Sequence, residues 1–252
     1  MSLKKKLLNK EQTIGSWLTI PHISVVEILA SAGFEWLTID IEHTSITMDQ
    51  CFNLIAAIQG NGMKALVRVS KNEEVVIKKV LDAGADGIIV PMVKNKAEAL
   101  QAIDYTYYPP KGKRGVGLNR AQKYGIGFDE YKQHLNENVV VIAQIEHIEA
   151  VNNIEEIITT DGIDGIIVGP YDLSGSMGIP GEYHEPKVQE ALLRVEETCK
   201  RLNKTLGFHV VQSDASFTQE KIDKGYNLLA FSLDFFFLGD KARDEMKKLK
   251  GH

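Results

Sequence analysis

The sequence predicts an α/β fold closed into a (β/α)8, or TIM, barrel. Eight short apolar runs rich in β-branched residues recur along the 252 residues, and amphipathic stretches fill most of the gaps between them. The length suits one such barrel. In chain order the runs are Thr13–Leu18, Trp36–Ile41, Ala65–Val69, Gly87–Val90, Val139–Ile145, Gly165–Val168, Leu206–Val210 and Leu228–Leu233. Helical periodicity is read over Val25–Ser31, Glu73–Asp82, Lys96–Tyr105, Ala150–Thr159, Lys187–Leu202 and Thr218–Lys224. No Pro/Gly/Ser-rich linker or tandem repeat divides the chain, so residues 1–252 are expected to form one domain. An open, doubly wound sheet is the alternative. It lacks a dinucleotide glycine loop, because Gly115-Val-Gly117 is followed by Leu, Asn and Arg. The connection from Tyr107 to Asn138 exceeds what a turn needs, and such an insert is expected to be functional.

Bulk properties narrow the partners. A formal net charge of −5 supplies no global positive field for a phosphate polymer, so nucleic acid is not an expected partner. Cys51 and Cys199 lie far apart in no CxxC pattern, which implies neither disulfides nor a structural zinc and suits a reducing cytoplasm. Met1 to Glu11 has a basic start but no apolar signal-peptide run. The most apolar stretch, Leu228 to Leu238, is interrupted by Asp234 and falls short of the ~20 residues that span a bilayer, so no membrane role is expected.

In a βα barrel the catalytic groups sit at the C-terminal ends of the strands. Strand two ends in Asp40-Ile-Glu42-His43, strand three in Arg68, strand five in Gln144-Ile-Glu146, and strand six in Gly169-Pro-Tyr-Asp172. Glu146 and Asp172 end successive parallel strands, about 4.8 Å apart, so their carboxylates can converge on one cation. Oxygen-only ligation favours a hard divalent ion such as Mg2+, Mn2+ or Co2+ and leaves positions for water and a 2-oxo acid. The competing reading makes both carboxylates helix caps. His43 suits proton transfer near neutral pH, although His22, His134, His147, His184, His209 and His252 show how little one histidine establishes. Arg68 suits an enolate oxygen or a carboxylate; alternatively it closes the mouth by a salt bridge to Asp40 or Glu42.

Other chemistries find little support. A Schiff-base aldolase needs a lysine inside the barrel, and Lys64 stands at the wrong end of its strand. Cys51 and Cys199 fall in helical patterns, no GxSxG is present, and Ser174 and Ser176 read as helix-start residues.

Six segments, in order, resemble the HpcH/HpaI aldolase family: GFEWLTIDIEH from Gly33, KALVRVS from Lys64, VLDAGADGIIVPMV from Val80, YPPKGKRGVG from Tyr108, VIAQIE from Val141 and DGIIVGPYDLS from Asp164. The resemblance runs from about Gly15 to Asp234. It implies a metal-dependent class II aldolase that cleaves a 4-hydroxy-2-oxo acid to pyruvate and an aldehyde. The implied metal ligands are Glu146 and Asp172, the base His43, and the transition-state arginine Arg68. It also makes Asp82 the helix aspartate that raises the histidine's basicity, a residue otherwise read as surface. Gln144 and the turn Gly169, Pro170 and Tyr171 match positions that hold the substrate's carboxylate and keto oxygens.

Departures from the family pattern leave the aldehyde half open. Ile41 stands where several relatives have glycine, Thr44-Ser45-Ile46 replaces small residues, and Phe208-His209 replaces aliphatic ones. His209 and Arg120 are therefore read as mouth residues recognising a polar or anionic distal end, with Arg120 as a merely solvated loop residue the other possibility. The resemblance also implies a homo-oligomer, a hexamer of three dimers that exchange a C-terminal helix. Phe235-Phe-Phe-Leu238 opening the last helix fits either that exchange or an internal contact. Two further functional readings stand beside the aldolase: a lyase acting on a CoA thioester, and a barrel that binds a small acid without turnover.

Overall fold

Strands β1 (Thr13–Leu18), β2 (Trp36–Asp40), β3 (Lys64–Arg68), β4 (Gly87–Val90), β5 (Val140–Ile145), β6 (Gly165–Val168), β7 (Thr205–Val210) and β8 (Leu228–Leu233) lie side by side in chain order. β8 returns to pair with β1, and every pairing is parallel. The computed structural model, which describes residues 1–251, is thus a closed (β/α)8 barrel. Each strand end lies within one residue of its expected place. His252 lies outside the described residues.

The helices are α1 (Leu3–Leu8), α2 (Ile23–Ser31), α3 (Met48–Gly60), α4 (Glu74–Asp82), α5 (Lys96–Thr106), α6 (Phe128–Glu137), α7 (Ile148–Asn152), α8 (Ile154–Ile158), α9 (Pro170–Ser176), α10 (Pro186–Arg201), α11 (Ala215–Asp223) and α12 (Asp234–Lys250). Among the described residues, none is long and apolar enough to cross a membrane. The helix expected over Ala150–Thr159 is broken at Asn153, whose side-chain amide leaves the helix path to donate to the Lys94 carbonyl at 3.0 Å. Ser174 and Ser176 do not start a helix. Pro170 opens α9, and the two hydroxyls instead accept the amides of Gly181 and Ile148.

Period-2 alternation sends one set of strand side chains inward. Trp17, Trp36, Leu66, Ile89, Ile142 and Ile167 form that inner cluster, and Leu3 and Leu7 of α1 join it as a plug under the barrel. Lys4 anchors the plug, bridging to Asp164 at 3.0 Å and donating to the Val139 carbonyl. Six residues of helix are too few to persist without such packing.

Direction of travel decides what each loop can do. Every βα loop opens at the strands' C-terminal end, while each following helix runs back to the other end. The insert from Tyr107 to Asn138 follows α5, so it is attached at the end remote from the mouth. There it buries Arg114, which donates to Asp82 at 2.5 Å and to the Tyr131 hydroxyl at 3.1 Å, between the Tyr108 and Tyr131 rings. Within this chain the insert, which contains α6, is a brace for α4, not a lid over the strand ends.

Large inner side chains need small neighbours. A β-carbon at Gly15 would lie 2.0 Å from the Trp36 ring, which is fully buried and hydrogen-bonded to Thr13. Gly15→Ala should therefore cost about 3 kcal/mol, the upper part of the usual overpacking range. Urea unfolding checks this, and an unchanged midpoint would show that Trp36 can move aside freely.

Candidate active site

The strand ends assemble one polar cluster at the mouth. Asp40, the last residue of β2, receives Arg68 from the end of β3 through a two-bond clamp, Nε at 3.0 Å and Nη2 at 2.6 Å. The same carboxylate accepts the backbone N–H groups of Glu42 and His43 at 3.0 and 3.3 Å, which shapes the loop after β2. Burial alone would raise the Asp40 carboxyl. The bonds and charge of Arg68, helped by these two amides, outweigh it and hold Asp40 below the usual carboxylate range. Underneath, the guanidinium lies 4.4 Å from the Trp17 ring, and Trp17 in turn meets the His209 ring at 4.9 Å.

Opposite this clamp, Glu146 follows β5 and is buried. It accepts the backbone N–H of Met92 at 2.7 Å and the side-chain amide of Gln144. Met92 holds a left-handed φ of 53°, a conformation that costs a non-glycine residue about 1–3 kcal/mol and here aims its N–H at the carboxylate. Gly169 gives the carboxylate room, since a β-carbon there would lie 2.9 Å from Glu146 Oε2 and 3.0 Å from Gln144 Nε2. Burial, followed by smaller effects that include the charges of Glu42 and Asp172, pushes the Glu146 carboxyl up to about 7. Glu42 also rises to about 7, through burial first; Asp40 and Asp172 push it up and Arg68 draws it down. Asp172, exposed in the first turn of α9, is thus felt by both buried glutamates.

His43 stands in the loop beyond β2 with its side chain 62% exposed and Nε2 3.6 Å from Glu42 Oε2. Asp82 does not meet it within one chain. As the last residue of α4, Asp82 lies where β4 is about to begin, a strand's length from the mouth, roughly 13 Å for the four residues of β4. Its carboxylate is taken by Arg114 and by Gln122 at 3.3 Å. Arg120, expected near the mouth, is also at this remote end, donating to the Ala83 carbonyl at 3.1 Å. The reason is again that the insert carrying it follows α5 rather than a strand. Pro170 is buried at the start of α9, while Tyr171 is 50% exposed and meets Tyr183 edge-on at 4.9 Å. His209 sits in β7 against Trp17 with Nε2 buried and unpartnered; burial, then the charge of Arg68, lowers its pKa to about 3. It is therefore a neutral ring under the mouth and not a cationic grip for an anion.

Sequence reading missed three contributors. Trp17, the floor under Arg68, was detectable as an inward position near the end of β1. Glu42 appeared only as a possible salt-bridge partner, because nothing in its neighbours reveals burial. The Met92 N–H had no signal, since any residue supplies it.

At the mouth, Gln144 Oε1 is buried without a hydrogen-bond partner, while Glu42 Oε2 lies 3.3 Å from Arg68 Nε. Four carboxylates, Asp40, Glu42, Glu146 and Asp172, share the mouth with one guanidinium, Arg68. Excess negative charge, an orphan oxygen and an all-oxygen donor set fit a hard divalent cation. Among the described residues, no three His, Cys, Asp or Glu side chains form a ready-made cage. A cation here would accordingly keep positions open for other oxygens.

Fold and mouth together define a closed βα-barrel with carboxylates, an imidazole and a guanidinium gathered at the strand ends, where barrels of this class carry their active sites. The chain belongs to the HpcH/HpaI aldolase/citrate lyase family, whose profile matches residues 13–238. It is 36% identical to a 5-keto-4-deoxy-D-glucarate aldolase from Enterobacter sp. (strain 638), over 97% of this chain and 96% of that protein. It is 33% identical to a 2-dehydro-3,6-dideoxy-6-sulfogluconate aldolase from Pseudomonas putida, over 97% and 95%. Among solved structures, an HpcH/HpaI aldolase/citrate lyase family protein from Burkholderia cenocepacia J2315 superposes with a TM-score of 0.93 at 32% identity, covering 98% of each chain.

Breaking the clamp has a defined cost. Asp40→Asn leaves Arg68 buried without its main counter-charge, and stability at pH 7 should fall by about 3–5 kcal/mol. Because the folded Asp40 value is depressed, its contribution is complete above the unfolded value of 3.8 and is lost as pH falls through the folded one. Urea midpoints followed from pH 7 to pH 2 should show both the drop and a shallower acid limb in the variant. Superimposable curves would mean the clamp adds nothing.

Proposed function

We propose that this protein is a divalent-metal-dependent aldolase that cleaves a 4-hydroxy-2-oxo acid to pyruvate and an aldehyde. The observation that carries the reading is the immobilised Arg68 guanidinium facing buried, electrostatically frustrated carboxylates at the barrel mouth. Mg2+, Mn2+ or Co2+ would be held by Glu146 and Asp172, where it would supply a Lewis acid for the oxygens of the oxo acid. Gln144 Oε1, buried and unpartnered, stands ready beside Glu146 for a further polar contact. Gly169, Pro170 and Tyr171, at the start of α9, would hold the substrate's carboxylate, as the family resemblance implies.

His43 takes the proton from the 4-hydroxyl. As that oxygen becomes the aldehyde carbonyl, the C3–C4 bond breaks and its electron pair moves into a C2–C3 enolate. Arg68 faces the developing charge. Its Nε and Nη2 are committed to Asp40, while Nη1 has no partner among the described residues and is free to donate to the oxyanion. Protonation at C3 then yields pyruvate. The names of the relatives favour a 3-deoxy-2-oxo acid derived from a sugar acid as the substrate.

The working form is proposed to be a cytoplasmic homo-oligomer, a hexamer of three dimers. Phe237 packs on Phe34 and Phe231 within the chain, whereas Phe235 and Leu238 of α12 are 44% and 68% exposed, which supports exchange of that helix. Asp82 and His43 lie at opposite ends of one barrel, so Asp82 can tune a histidine only across a subunit contact.

The reading is tested by pyruvate release from a panel of hydroxy-oxo acids with Mn2+ or Mg2+. Activity should vanish with EDTA and return with metal, and Glu146→Gln should lower turnover by roughly 100-fold or more. Undiminished release after metal stripping would overturn it. Release only from CoA thioesters would transfer the protein to the thioester lyases, and binding of pyruvate without any turnover would make it a binding barrel.

A further inference from the structure

Behind β7, on the outer side of the barrel wall, α10 and α11 leave a cavity of about 160 Å³. Phe208, Val210, Leu192 and Phe217 give it apolar walls, and Tyr183, Lys221 and Glu220 also line it. It adjoins the catalytic mouth, since Pro170, His209, Val211 and Gln212 also line it, but its apolar body lies behind β7. His209 turns inward to Trp17, while its neighbour Phe208 turns outward to Tyr226.

Two polar groups there are poorly compensated. The Tyr183 hydroxyl is buried with the Tyr171 side chain as its polar neighbour. The Lys221 side chain is only 15% exposed, and its ammonium lies 4.4 Å from the centre of the Phe208 ring and 5.8 Å from that of Tyr226. Its nearest carboxylate, Glu220, is 3.7 Å away and bonds Lys224 at 2.7 Å instead. A second acid, Glu196, is occupied by the Tyr226 hydroxyl at 2.8 Å. Lys221 thus keeps only a long ion pair with Glu220, and burial, then the charge of Lys224, lowers its pKa against the opposing pull of Glu220 and Glu196. A half-buried cation over aromatic faces with only a long ion pair is expensive to hold unless an anion completes it.

We propose that this cavity is a second ligand site, which takes a small carboxylate with a compact apolar or aromatic body. Its carboxylate would accept from Lys221 and Tyr183, and the body would lie among Phe208, Leu192 and Phe217. The volume suits a single ring, since an apolar cavity of about 150 Å³ accommodates benzene. Pro170 also borders the cavity and opens α9, the helix that carries Asp172, so an occupant touches the support of the mouth without entering it.

Benzoate is the probe, with uncharged benzyl alcohol as its comparator, titrated calorimetrically into the metal-free full chain. Benzoate should bind saturably at one site per chain and persist when pyruvate and Mg2+ are added. Lys221→Met keeps the apolar stem and should weaken benzoate by roughly tenfold or more, the value of a charge-assisted hydrogen bond, while benzyl alcohol changes little. Should that variant fail to fold, Leu192→Trp, which fills the cavity, should abolish binding of both probes. No saturable benzoate binding, equal binding by the folded Lys221→Met variant, retention by Leu192→Trp, or displacement by pyruvate with Mg2+ would each overturn the assignment. None of these outcomes depends on the aldolase reading, because no turnover is measured.

Discussion

The clamp between Asp40 and Arg68 organises the mouth of this barrel. Neighbouring parallel strands bring the two residues into register, and the carboxylate then fixes the guanidinium through two bonds and the next loop through two backbone amides. Trp17 supports the cation from below. With rotation and translation both removed, Arg68 would meet a negative charge developing beside it without reorganising, which is the condition under which a buried donor is most effective.

Against that satisfied pair stand two acids whose charge is poorly compensated. Glu42 and Glu146 are pushed up to about 7 mainly by burial, and the nearby carboxylates add to the effect. Strain appears in the same place, at the left-handed Met92 that donates to Glu146. A folded chain tolerates such a concentration of cost where a ligand relieves it, and the all-oxygen character of the donors indicates what kind of ligand. Elsewhere the core is ordinary: inner layers of large side chains fitted over small ones, as Trp36 over Gly15.

Barrel polarity separates the two ends into different tasks. One end carries His43, Arg68, Glu146 and Asp172. The other is sealed by α1 and braced by the insert, where Arg114 and Gln122 hold Asp82. Arg120 departs from expectation for this reason, and the neutral His209 does so for another: its ring is enclosed beside a cation.

The sequence by itself determined the fold class and the strand ends, because apolar period and strand length are local properties that closure of the barrel leaves intact. It also marked Arg68, Gln144, Glu146 and Asp172 as strand-end polar residues, since that position is readable from the boundary of an apolar run. Helices α1 and α9 were illegible because short segments owe their stability to what they pack on. Tertiary structure alone decided which carboxyl is frustrated and which is satisfied, and which loop reaches the mouth. It alone revealed the cavity behind β7. Burial, charge proximity and the direction of a helix are relations between residues distant in the chain, and no single stretch of sequence contains them.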